Sequence, residues 1–190
     1  MSLNGEPTKC NDLIRRLDIA VEAGECAEIC HAVKDVLHDI VAEGNAFIAD
    51  RFLVPAPERY ARRLFHLDPA GRYSVLVMVW DKGQGTMLHD HSGMWCVECV
   101  YQGRIKVVSY DRLDDETGEL AQFEREQELY AGIADAGALI PPYEYHTIEN
   151  CEDTPAVTIH VYGGEMTSCH VFAPVEGGYR REERQLAYTQ

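Results

Sequence analysis

The chain has 190 residues, 46% of them hydrophobic, enough for one domain with a substantial core and unlike a disordered chain. A formal net charge of −15 argues against a nucleic-acid partner, since phosphate neutralisation needs clustered Lys and Arg. No apolar run reaches transmembrane length, and MSLNGEPTKC lacks the pattern of a secretory signal, so a cytoplasmic chain without a membrane partner is expected.

The first ten residues are polar and read as loose. From Asp12 to about Ile40 the pattern turns helical. Ile29, Val33, Val36, Leu37 and Ile40 recur at helix spacing, and Gly24 divides the stretch into two short helices. His31 and His38 fall here without a second ligand at a useful spacing, and read as surface or satisfied histidines. Pro55 and Pro57 mark a hinge, after which the composition changes to strands. YSVLVMVW (73–80) is rich in β-branched and aromatic residues, as a buried strand requires. A strand carrying His89 and His91 follows, then RIKVVSY (104–110), a turn at 114–118, and strand-like runs at 123–130, 138–140, 156–162 and 169–173. Short strands punctuated by turns indicate a sandwich or barrel, not alternating βαβ units. The expected architecture is mainly β: one domain over 1–190, helical at about 12–50, with a barrel at about 60–175.

The chemistry concentrates in GQGTMLHDHSGMWCVECVYQG (83–103). His89 and His91 flank Asp90, so in an extended strand both imidazoles point one way and the carboxylate the other. Two histidines on one face can grip one metal ion, and His146 in PPYEYHTIEN is the candidate third ligand. Imidazole suits Zn, Cu, Fe and Ni alike. Cys96 and Cys99 form a CxxC, but residues three apart on a strand face opposite sides and no second CxxC exists; a zinc or redox pair is therefore rejected. The seven cysteines, scattered and odd in number, read as reduced thiols.

Gly83, His89, Asp90, His91, Cys96 and Gly103 follow the spacing of the first cupin motif, with Cys96 where cupins typically carry glutamate. Pro141, His146 and Asn150 fit the second motif, while Asp135 and Tyr143 stand where glycines are common. The chain thus resembles the cupins, which are double-stranded β-helix barrels of the jelly-roll type. That resemblance implies that His89, His91 and His146 meet at the barrel mouth, without a carboxylate among the ligands. The cysteine at the glutamate position narrows it to the thiol dioxygenases, and specifically to the cysteine dioxygenase family, from about Tyr60 to Phe172. Tyr60-Ala61-Arg62 resembles the family's substrate clamp, Thr158-Ile159-His160-Val161-Tyr162 its (Ser/Thr)-x-His-x-Tyr strand, and Ser168-Cys169-His170-Val171-Phe172 the segment that follows. Cys96 and Tyr162 stand where some members carry a covalent Cys–Tyr thioether.

What the resemblance implies is specific. Fe(II) on the three histidines would take L-cysteine through thiolate and amine, with Arg62 and Tyr60 holding the carboxylate. Dioxygen would oxidise the sulfur to cysteine sulfinic acid, with Tyr162, His160 and Cys96 assisting and Thr158 behind His160. A monomer or weak homo-oligomer is expected. Strand alternation agrees with these roles. Tyr60 and Arg62 share a face if extended, leaving Arg63 to point away as a surface charge. Thr158, His160 and Tyr162 share another, with Ile159 and Val161 facing a core. His66 and His170 stay unassigned, with supporting or structural roles favoured over metal ligation.

Three rivals remain. A 3-mercaptopropionate dioxygenase would carry Gln at the Arg62 position and a different Arg after the His-x-Tyr strand, yet Gly163-Gly164-Glu165 follows Tyr162 and the next Arg is Arg180. A non-catalytic ligand-binding cupin and a metal-dependent isomerase on the same barrel would consume no oxygen.

Overall fold

The computed structural model describes residues 8–44, 46–114, 118–142 and 144–190. The expectations for residues 1–7, for the middle of the 114–118 turn and for Tyr143 lie outside the described residues.

Helices α1 (Thr8–Ala20) and α2 (Cys26–Ala42) open the fold. Gly24 between them has φ +122°, a conformation that side chains beyond glycine resist, and the Glu28 carboxylate accepts the Glu25 N–H at the start of α2. Each helix buries one stripe: Leu13 and Leu17 on α1, and Val33, Leu37 and Ile40 on α2. No helix among the described residues is long and apolar enough to cross a membrane.

Strands follow as β1 (Ala61–Leu67), β2 (Ser74–Trp80), β3 (Leu88–His89), β4 (Cys96–Gln102), β5 (Ile105–Arg112) and β6 (Phe123–Ala131). Then come β7 (Ala136–Leu139), β8 (His146–Glu149), β9 (Ala156–Tyr162), β10 (Ser168–Val175) and β11 (Gly178–Gln185). One sheet runs β1-β2-β9-β4-β7 and the other β11-β10-β3-β8-β5-β6, with antiparallel pairing throughout. The barrel therefore continues to Gln185, past the expected end near 175.

Every residue of β2 and β9 is buried. Their outer side chains, such as Val77 and Ile159, pack under the two helices. Their inner ones, Met78 and Trp80 among them, meet Ile105 and Ile148 of the second sheet. A strand covered on both faces reads as a continuous apolar run, which is why 73–80 was legible. The second sheet ends in charged strands, FEREQELYA (β6) and GYRREERQ (β11), which discourage edge-to-edge pairing.

Candidate metal centre

His89 and His146 stand directly opposite each other across β3 and β8. β3 stops at His89, so His91 is aimed by the turn that follows, not by the strand alternation expected. The geometry still converges. Ring centroids are 5.1 Å apart for His89–His91, 4.6 Å for His89–His146 and 5.0 Å for His91–His146. One donor atom from each lies within 4.8 Å of the others. Asp90 turns away from the triad and braces the turn. Its Oδ1 accepts the His170 N–H at 2.8 Å and the Ser92 N–H at 3.1 Å, and its Oδ2 meets His170 Nδ1 at 2.8 Å. His170 thus has a structural place. Glu144, pushed up to about 7 by burial and the nearby Asp90, faces the backbone N–H groups of His91 and Gly93.

Proton placement favours metal binding. His89 Nδ1 lies 3.0 Å from the Met87 carbonyl and His146 Nδ1 lies 3.2 Å from the Glu144 carbonyl. A carbonyl only accepts, so each Nδ1 carries a proton; Nε2 of His89 keeps its lone pair for a metal, and Nε2 of His146, which faces Glu98 Oε1 at 3.3 Å, offers one once deprotonated. His91 is fully buried and neither of its ring nitrogens has a hydrogen-bond partner. Burial and the neighbouring imidazoles hold His91 well below its ordinary pKa and push His89, partly open to solvent on one side, to about 4. Neutral imidazoles with orphaned nitrogens are poor core residues and good ligands. The residues present fit a metal ion.

A carboxylate stands beside the three imidazoles. Glu98, 8% exposed, shares the inward face of β4 with Cys96 and pairs in register with His160. Its Oε1 is 3.3 Å from His146 Nε2 and 3.2 Å from His160 Nδ1. Burial pushes Glu98 up, but His160 and His146 outweigh it and hold the carboxyl well below the usual range. Reciprocally, burial works against charge at His146, and Glu98 overcomes it to raise that pKa. The signal was present in the alternation of Cys96-Val97-Glu98. It was masked by the cupin motif, whose glutamate position is Cys96.

The inner face of β9 forms a hydrogen-bonded row. Trp80 Nε1 donates to Thr158 Oγ1 at 2.9 Å, and Thr158 Oγ1 is 2.7 Å from His160 Nε2. The indole only donates, which leaves the threonine proton free for Nε2 and places the His160 proton on Nδ1, toward Glu98. The Tyr162 hydroxyl is 3.3 Å from that same Nδ1. Tyr162 stands opposite Cys96 in the β4–β9 register, and both are buried. Burial, then Glu98, raises the Cys96 thiol; burial, then Cys96 and Glu98, raises the Tyr162 hydroxyl. Cys99 faces the helices instead, so the CxxC is split between two faces.

Tyr60 stacks on Trp80 with centroids 4.6 Å apart. Arg62 is 4% exposed; its Nη2 donates to the Met166 carbonyl at 2.8 Å and its guanidinium lies 5.0 Å from the Tyr188 ring centroid. Among the described residues no acidic side chain pairs with it. Arg63 does point away, but it is not the surface charge expected: it too is buried, with Nη1 3.3 Å from the Phe52 carbonyl. The far side of β1 faces residues 50–53 as well as solvent. The C-terminal tail, which lay outside the recognised resemblance, closes over the clamp. Thr189 N–H donates to the Arg62 carbonyl at 2.7 Å, and Arg62 N–H to Thr189 Oγ1 at 3.0 Å.

Tyr60, Arg62, His89, Glu98, His160 and Tyr162 line one cavity of about 30 Å³, with Leu186 of the tail in its wall. That is room for about one water. A wider cavity of about 470 Å³ reaches Glu98 and His146 from the β5–β6–β7 side. Its wall carries Glu126 and Asp135 and no lysine or arginine, so it does not suit a carboxylate.

Two antiparallel sheets with a triad of imidazoles between them define a cupin-type barrel. A family model for cysteine dioxygenase type I matches residues 12–174, and the chain belongs to that family. Cysteine dioxygenase type 1 of Rattus norvegicus is 30% identical over 119 residues, 60% of this chain and 56% of the relative. The Homo sapiens protein of that name is 29% identical over the same span. The chain thus spans about half the length of the curated relatives it matches. Among solved structures, the TT1209 protein from Thermus thermophilus is 19% identical, with a TM-score of 0.48 over 60% of this chain and 92% of that one. Oxalate oxidase in complex with the substrate analogue glycolate is 17% identical, with a TM-score of 0.44 over 57% of this chain and 53% of that one. At that distance neither bears on the chemistry.

Proposed function

We propose that this protein is an iron(II)-dependent thiol dioxygenase of the cytoplasm that adds both atoms of dioxygen to the sulfur of L-cysteine, giving cysteine sulfinic acid. The observation that carries the substrate is Arg62, a guanidinium 4% exposed, without an acidic partner among the described residues, in the same cavity wall as His89 and Tyr162. A buried charge lacking a counter-ion is costly, and a substrate carboxylate removes the cost. Nη2 is engaged by Met166 and Tyr188 also meets the guanidinium, so a carboxylate would take the rest of the fork with Tyr60 beside it.

Anchored at Arg62, cysteine extends its thiol toward His89, His91 and His146. Iron(II) held by these three imidazoles would acidify that thiol and relay electrons from its sulfur to dioxygen, the sulfur losing the four electrons that dioxygen gains. Tyr162, whose hydroxyl burial keeps protonated, donates a hydrogen bond to oxygen as it joins sulfur. His160, fixed by Thr158, holds that phenol in place. Leu186 and the tail must give way to admit substrate, because the cavity of about 30 Å³ is smaller than the amino acid.

The position after the His-x-Tyr strand cannot supply a rival cation. A Cβ on Gly163 would lie 2.4 Å from Trp95 Nε1, so an arginine does not fit there. Oxygen uptake by the iron-loaded protein tests the reading. L-cysteine should be consumed with a lower KM and a higher kcat/KM than 3-mercaptopropionate. The reverse preference would overturn the substrate, and absence of thiol-dependent uptake would overturn the activity.

A further inference from the structure

We infer that Tyr188 is a positioning residue of the substrate clamp: held by Glu165, it orients the Arg62 guanidinium toward the carboxylate of the thiol substrate. The inference rests on the dioxygenase reading above and deepens it.

The loop after β9 is the platform. Gly163 N–H donates to the Trp95 carbonyl at 3.0 Å, and Ser74 Oγ donates to the Gly164 carbonyl at 2.7 Å, so the loop is pinned from two sides. Its Met166 carbonyl accepts Arg62 Nη2 at 2.8 Å. Glu165, between these anchors, accepts the Tyr188 hydroxyl on Oε1 at 2.9 Å. The loop therefore reaches the guanidinium twice, once through a carbonyl and once through a tyrosine.

The tail is anchored on either side of Tyr188. Leu186 N–H donates to the Thr167 carbonyl at 2.8 Å, and Thr189 exchanges two hydrogen bonds with the Arg62 main chain. Between these anchors the Tyr188 ring lies 5.0 Å from the guanidinium, within cation–π range, and its hydroxyl meets the guanidinium as well.

The hydrogen bonds run one way. A carboxylate only accepts, so the Tyr188 proton points to Glu165 and the phenol oxygen turns a lone pair to Arg62. Burial, then Glu165, raises the Tyr188 hydroxyl above its ordinary pKa and keeps that proton in place. A guanidinium is planar with its donors in fixed directions, so tying it to Met166 and Tyr188 sets the direction of the donors that remain. Glu165 reaches the cation only through the phenol, and so steadies Arg62 without taking the place of the substrate carboxylate. When the tail closes after substrate entry, Tyr188 returns to the guanidinium, so opening does not remove its effect on the bound state.

The test is anaerobic calorimetric titration of the iron(II)-loaded full chain with three thiols. L-cysteine and 3-mercaptopropionate carry a carboxylate, and cysteamine does not. Tyr188→Phe keeps the ring and loses the oxygen; it should weaken both carboxylate thiols at least about fivefold and leave cysteamine within about twofold. In oxygen uptake the same variant should raise KM for L-cysteine with kcat little changed. Glu165→Ala should repeat the pattern, and Glu165→Gln, which keeps an acceptor oxygen, should restore binding. Unchanged affinity for L-cysteine in Tyr188→Phe would overturn the inference and leave the dioxygenase reading intact. So would equal weakening of all three thiols, which is the mark of a merely structural tyrosine. Should Tyr188→Phe fail to fold, Glu165→Ala decides the matter by the same comparison, because Glu165 is exposed. Failure of the wild type to bind any of the thiols would remove the dioxygenase reading itself.

Discussion

The first sheet has two faces built from the same strands, and their compositions diverge. Outward, Val75, Val77, Val97, Val157, Ile159 and Val161 are buried against α1 and α2, with no polar group among them. Inward, β4 and β9 present Cys96, Glu98, Thr158, His160 and Tyr162, all buried. Both faces are dry, so burial does not distinguish them; what distinguishes them is whether the buried groups are satisfied by apolar packing or by directed hydrogen bonds and a metal. Neighbours in sequence fall on opposite sides of that divide. Ile159 lies between Thr158 and His160, so parity along the strand decides whether a change affects stability or chemistry.

The sharpest way to break that division lies at the metal ligands. His146→Ala, and likewise His89→Ala or His91→Ala, should strip the metal and abolish activity. Metal analysis of the purified variant reads this, and full occupancy in His146→Ala would remove that residue from the ligand set.

The outward face should answer differently. Ile159→Ala opens a cavity under α2 and should cost about 2–5 kcal/mol in denaturant unfolding. Metal content of the folded protein should be unchanged. Loss of metal without loss of stability would mean the faces are not separable.

The two arginines of β1 repeat the comparison on one strand. Arg62→Gln removes a charge-assisted carboxylate contact worth about 2–4 kcal/mol, so KM for cysteine should rise roughly 30-fold or more. Arg63→Gln should leave KM alone and lose about 1–2 kcal/mol of stability, since its buried guanidinium donates to the Phe52 carbonyl. Equal effects on KM would show that the wrong arginine has been assigned to the substrate.

The smallest expected effect concerns Cys96 and Tyr162, opposed across β4 and β9. Turnover with iron, cysteine and dioxygen should oxidise a fraction of the protein to a Cys96–Tyr162 thioether, lighter by two hydrogens. Peptide mapping would find the two peptides joined. Separate peptides and an alkylatable Cys96 after extended turnover would dismiss the link, and activity without it should persist because preorganisation refines a site already present.

Legibility in the sequence followed the same physics. β2 was readable because two-sided burial writes an unbroken apolar run, β9 by its β-branched residues, and the His160–Tyr162 pair by the family resemblance, with which strand alternation agrees. β8 is four residues long and β11 is charged along its length, so neither carries a periodic signal. Arg63 was directed correctly and its surroundings misjudged, because nothing local to β1 announces that residues 50–53 cover it. Glu98 was the informative omission. Its alternation with Cys96 was visible, but a charged residue next to apolar ones on a strand reads as solvent-facing until the opposite sheet is in place.

The claim that the inward face is a metal-dependent site for oxidising a thiol sulfur is tested most directly with isotopically labelled dioxygen. Iron-loaded protein is turned over with L-cysteine under ¹⁸O₂ and the product is weighed by mass spectrometry. Cysteine sulfinic acid carrying both labelled oxygens is the expected result. Cystine, or a sulfinate whose oxygen comes from water, would contradict it.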